Sequence, residues 1–137
     1  MKLFTFFSML FIFTLSSAIF AQNTAKTIKL NTEFSLLAEQ KGNLKADKIN
    51  IEFVKVLEDS RCPEDVDCVW AGSAKIQIKV SKGKSAAQVF ELNTNQEPNF
   101  ITFQGYKIEV TGLKPGIKSD SDRKLIKYSA SFIVRKN

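Results

Sequence analysis

The chain has 137 residues, a formal net charge of +6 and no histidine. That length suits one domain and is too short for several. The missing imidazole removes the commonest general base and the usual partner of a zinc thiolate, and two cysteines are too few for a disulfide framework, so an apolar core must hold the fold.

Lys2 is the only charged side chain before Lys26. Between them an apolar run from Leu3 to Leu15 passes into Ser16-Ser17-Ala18-Ile19-Phe20-Ala21. A basic start, an apolar middle and a small-residue end predict a signal peptide over 1–21, cut after Ala21, and so export to the periplasm or the extracellular space. The stretch nearly reaches the ~20 apolar residues of a spanning helix; the serine and threonine interruptions favour cleavage. The first cysteine is Cys62, which excludes a lipid anchor on a cysteine at the cleavage junction. Residues 22–137, 116 in all, are then expected to form a single β domain.

Along that domain the apolar residues recur at period two. Ile28 and Leu30 predict a short first strand, and Phe34, Leu36 and Ala38 a second. Lys41-Gly42-Asn43 reads as a turn. Ile49, Ile51 and Phe53 alternate with polar residues, and then the phase slips to Val54 and Val56, predicting a bulge. Ala74, Ile76, Ile78 and Val80 alternate with Lys75, Gln77 and Lys79, as in a strand with one wet face. Weaker runs cover Val89–Leu92 and Phe100–Phe103. Tyr106, Ile108 and Val110, and then Tyr128, Ala130, Phe132 and Val134, complete the series. Turn signals stand at 81–84, 93–99, 104–105 and 114–116. The fold class expected is all-β, an antiparallel sandwich or barrel of about seven short strands.

One segment differs from the rest: Glu58-Asp59-Ser60-Arg61-Cys62-Pro63-Glu64-Asp65-Val66-Asp67-Cys68-Val69-Trp70-Ala71-Gly72. Two cysteines in an exported chain are expected to pair, closing a Cys62–Cys68 loop between two strands. Such a short loop adds only about 2 kcal/mol in the chain-entropy model, so the bond fixes a shape more than it holds the domain. The five carboxylates against Arg61 give the segment a formal charge of −4, while the rest of residues 22–137 carries +9.

The run Asp59-Ser60-Arg61-Cys62-Pro63, followed by Val66 and by Cys68-Val69-Trp70-Ala71-Gly72, resembles a motif of small secreted or lipid-anchored bacterial proteins of uncharacterised function. The layout around it is similar too, with Phe34 and Leu36 before it and a Pro115-Gly116 turn and a Tyr128 strand after it. The resemblance implies a β-rich exported domain and a bacterial source, and it implies no activity. This chain departs from the lipoprotein members in lacking the acylated cysteine.

Within the motif, Trp70 reads most simply as a core residue packed against the disulfide, with ligand stacking as the alternative. Gly72 is expected to allow a bulge where the loop re-enters a strand. Arg61 is expected to pair with a neighbouring carboxylate, and Asp59 and Ser60 to bond loop backbone. The candidate binding loop comprises Asp59, Arg61, Glu64, Asp65, Asp67 and Trp70. A sharper reading makes Asp59, Asp65 and Asp67 a Ca2+ site, helped by Asp120 and Asp122, although no EF-hand spacing is present.

No catalytic motif appears, so an unrecognised hydrolase is the less favoured class. Seventeen lysines against three arginines, scattered over solvent faces, suit solubility rather than nucleic-acid reading. Attraction of the basic body to anionic lipid or polysaccharide is a further class. The leading expectation is a non-catalytic, cofactor-free binding module that presents its acidic disulfide loop to a protein or envelope component, with a calcium-stabilised β domain as the alternative.

Overall fold

The computed structural model describes residues 24–137; the predicted signal peptide, 1–21, lies outside them. Among the described residues nine strands follow in order: β1 (Lys26–Thr27), β2 (Phe34–Leu37), β3 (Lys41–Leu44), β4 (Ile49–Asp59), β5 (Ala74–Lys82), β6 (Gln88–Asn93), β7 (Phe100–Phe103), β8 (Tyr106–Lys114) and β9 (Ser129–Lys136). They make a five-stranded sheet, β1-β3-β4-β5-β6, and a four-stranded sheet, β2-β9-β8-β7. The fold is thus all-β with two sheets. Among the described residues no helix is long and apolar enough to cross a membrane.

Both sheets turn their alternate apolar residues onto one core. Ile49, Ile51 and Phe53 of β4 and Ile76, Ile78 and Val80 of β5 face inward from one sheet; Ile108, Val110, Ala130, Phe132 and Val134 face them from the other. Phe132 sits at the centre, its ring 6.3 Å from that of Phe53 and 5.9 Å from that of Phe34. Each such fully buried large side chain contributes roughly 1.5–3 kcal/mol, which explains why the period-two pattern was so readable.

Two expectations need correction. Lys41-Gly42-Asn43 is not a turn but the start of β3, paired with β4 through Gly42 and Ile51. Gly42 is buried, and a Cβ there would press on Ile28 and Leu36, so the glycine permits close approach rather than a reversal. The sheets are also not wholly antiparallel, because β1 runs parallel to β3 and lies at Lys26–Thr27, just before the Ile28 and Leu30 expected to form it. The bulge after Phe53 is present: the β4–β5 register shifts between Phe53 and Lys55 and again between Val56 and Glu58.

This topology gives the molecule two unlike ends. The β4–β5 connection, 60–73, and the β8–β9 connection, 115–128, leave the sandwich together at one end. The turns 45–48, 83–87 and 104–105 gather at the other.

Candidate functional site: the disulfide-closed end

The base of the 60–73 loop continues the β4–β5 pairing. Ser60 N donates to Ser73 O at 2.9 Å and Cys62 N to Ala71 O at 2.8 Å. Between those rungs Gly72 adopts φ +68°, and a Cβ on it would overlap the Ser60 carbonyl oxygen. Only glycine suits that position, because it needs both a left-handed backbone and an empty space beside it. Cys62 and Cys68 are bonded, with Cα atoms 5.9 Å apart, and close the tip of the loop around a turn in which Val66 N donates to Pro63 O.

Asp59, the last residue of β4, anchors the loop to the opposite sheet. Its carboxylate is only 1 % exposed. It accepts from Arg61 Nε at 2.8 Å, Arg61 Nη2 at 2.7 Å and the Tyr128 hydroxyl at 2.9 Å. Arg61 in turn donates to the Leu113 carbonyl at 2.7 Å and the Pro115 carbonyl at 3.0 Å. One bidentate pair therefore ties the loop's base to both ends of the 115–128 connection. Burial pushes the Asp59 carboxyl up, but the hydrogen bonds from Arg61 and Tyr128 and the charge of Arg61 outweigh it and hold the group below its ordinary value. The same bond to Asp59 raises Arg61, and burial together with that carboxylate pushes the Tyr128 phenol up to about 12.

A second set of bonds joins the tips of the two loops. Asp65 accepts from Ser119 N at 2.9 Å and from Ser119 Oγ at 2.6 Å, which holds its carboxyl below the ordinary value. Glu64 N donates to Ile117 O at 2.8 Å, and Arg123 Nε to Asp59 O at 3.1 Å. The loop is thus closed by its disulfide, clamped at its base and pinned at its tip.

The candidate residues therefore divide. Asp59, Arg61 and Asp65 are committed to positioning the loop, while Glu64, Asp67 and Trp70 face solvent. Asp59 and Asp65 do not converge with Asp67 on a cation: no three metal-ligating side chains gather among the described residues. Asp122 instead accepts from Lys124 N of its own loop.

Trp70 is not a core residue. It is 78 % exposed, with Val69 beside it at 92 % and Val66 at 45 %. The buried apolar residues beside Cys62 are Leu113, 8 % exposed at the end of β8, and Ile117, 1 % exposed in the 115–128 connection. Trp70 instead walls an open cleft of about 500 Å³ whose other sides are Ser60, Ser73, Asn95 and Gln96. Asn95 reaches this cleft from the β6–β7 turn and is fixed there by a 3.0 Å bond from its amide nitrogen to Gly72 O.

Sequence reasoning missed Ser119, Arg123, Asn95 and Gln96, and took Tyr128 only for a strand residue. The partners of Asn95, Ser119, Arg123 and Tyr128 lie 23 to 69 residues away, and no local spacing reveals them; Gln96 is placed only by the cleft it lines. Compared with family models, curated proteins and solved structures, the chain finds no match.

Proposed function

We propose that this is an exported, non-catalytic binding module whose disulfide-closed loop is its recognition surface, directed at an envelope or extracellular partner. The observation that carries this reading is the exposure of Trp70 and Val69 on a loop clamped at both base and tip. Leaving a tryptophan in water forgoes a large burial gain, and tryptophan is enriched among residues that dominate binding energy. A loop already fixed by covalent and ionic contacts loses little entropy when it binds. The calcium reading gains no support, because Asp59 and Asp65 already have protein partners.

The test is capture of envelope material on the immobilised protein. Trp70→Ala and Asp67→Lys lie on the loop and are expected to reduce capture, whereas Lys84→Glu, at the opposite end, is expected to leave it unchanged. Equal capture by all four proteins would sink the proposal.

A further inference from the structure

The clefts at the disulfide end share lining residues and lie side by side as a segmented groove. The Trp70 cleft shares Asn95 and Ala71 with a neighbour running towards Glu64, Lys114 and Ile117, and it shares Ser60, Ser73 and Gln96 with another that reaches Glu58, Lys75 and Asn93. Trp70 lines the cleft that shares residues with both neighbours. The groove's polar groups are not all committed within the protein: the side chains of Gln96, Glu58 and Lys75 make no hydrogen bond or ion pair with any described residue. Glu58 and Lys75 are register partners across β4 and β5.

Resting on the binding-module reading, we propose that this groove holds a neutral glycan chain, with one pyranose ring stacked on Trp70. Three features select that ligand. A pyranose with equatorial substituents presents a flat face of C–H bonds that packs on an indole, and its rim of hydroxyls both donates and accepts. The groove supplies the complement, one exposed aromatic plate flanked by an amide, a carboxylate and an ammonium group able to bond that rim. The charged groups lining it are of both signs, Glu58 and Glu64 with Lys75, Lys114 and Arg61, so the lining itself is not selective for an acidic or a basic polymer. Among the described residues Trp70 is the only aromatic one lining these clefts, so a single ring has a stacking platform there. Three adjoining clefts suit a chain rather than a single sugar.

Trp70 is the only tryptophan in the protein, so its fluorescence reports the groove directly. Titration with cello-, chito- and laminari-hexaose is expected to give a saturable change in emission with at least one of them. In calorimetry with that hexaose, Trp70→Ala is expected to abolish binding, and Gln96→Ala to weaken it about tenfold, the loss of one hydrogen bond left unreplaced. Lys84→Glu, at the opposite end of the sandwich, is expected to bind as the parent does. No saturable change with any hexaose overturns the assignment, as does binding that survives Trp70→Ala or is confined to an anionic polymer such as polygalacturonate. Failure here with Trp70-dependent capture of envelope material intact removes the glycan alone; loss of that dependence as well removes the binding-module reading.

Discussion

The two ends of the sandwich solve the same problem, reversing the chain, in different ways. At one end the reversals 45–48, 83–87 and 104–105 take two to five residues each and are held mainly by backbone, as where Gly83 N donates to Lys48 O at 2.8 Å. At the other, two connections of fourteen residues each are held by side chains: a disulfide, the Asp59–Arg61–Tyr128 cluster and the Asp65–Ser119 clasp. Short turns suffice to close a sheet. A long connection loses more entropy on ordering and is kept only where something offsets that. Charge divides the same way, since Lys45, Lys48 and Lys84 line the cleft at the short-turn end and the acidic segment lies at the other. The difference teaches that ordering in this molecule is concentrated where apolar residues are left exposed, which is the arrangement a recognition surface needs.

The contrast breaks most sharply at Asp59. Asp59→Ala leaves Arg61, only 12 % exposed, without its counter-charge; removing one partner of a buried pair costs roughly 3–5 kcal/mol. Denaturant unfolding is expected to show a loss of that order. A loss below about 1 kcal/mol, the value of a surface pair, would mean that the cluster does not clamp the loop. Gly72→Ala is expected to cost roughly 2–3 kcal/mol, because it adds a left-handed non-glycine residue to an overlap with backbone.

Acidity provides a graded version of the same test. The carboxyl of Asp59 is held below its ordinary value in the fold, so its stabilisation is fully present above the unfolded value of about 3.9 and is lost as pH falls through the folded one. Tyr128 works in the other direction. Its phenol is raised to about 12 in the fold, so stability holds below the unfolded value of about 10 and declines as pH rises from there towards the folded value. Unfolding midpoints measured against pH are expected to fall at both extremes in the parent. Tyr106 is raised too, by its hydrogen bond to Asp47, so Tyr128→Phe should shrink the alkaline fall rather than abolish it, and an unchanged alkaline limb in that variant would show that Tyr128 does not contribute to it.

How much of this was legible follows from the range of each interaction. The strands β4, β5, β8 and β9 were readable because their burial alternates residue by residue, and the Cys62–Cys68 loop because its partners are six apart. β3 was not readable, since Lys41-Gly42-Asn43 has the composition of a turn and only the packing of Ile28 and Leu36 onto Gly42 makes it a strand. Trp70 was misplaced for a related reason. Aromatic bulk next to a disulfide suggests a core, but the buried apolar residues beside Cys62 come from Leu113 and Ile117, some forty residues further on, and Trp70 stays exposed.

The disulfide should matter less to stability than to shape. Replacing both Cys62 and Cys68 with serine is expected to cost roughly 2 kcal/mol, less than losing Asp59, because the Asp65–Ser119 clasp and the base pairing persist. A larger loss than that from Asp59→Ala would reverse the ranking of covalent and ionic restraint at this end.

The smallest effect is expected at the short-turn end. Tyr106 donates to Asp47 at 2.6 Å, and the Lys82 ammonium lies 5.4 Å from the centre of its ring. Tyr106→Phe keeps the ring, and with it the packing and the cation contact, and removes only the hydrogen bond, so it should cost about 1 kcal/mol. Asp47 remains free to take water, because its turn is solvent-accessible, and no buried group is stranded. The matching change at the other end, Tyr128→Phe, takes a donor from a carboxylate that is 1 % exposed and has no water to replace it. Its cost near neutral pH should therefore exceed that of Tyr106→Phe. Equal costs in parallel denaturation would mean that both ends are equally wet, and the contrast between them would lose its energetic basis.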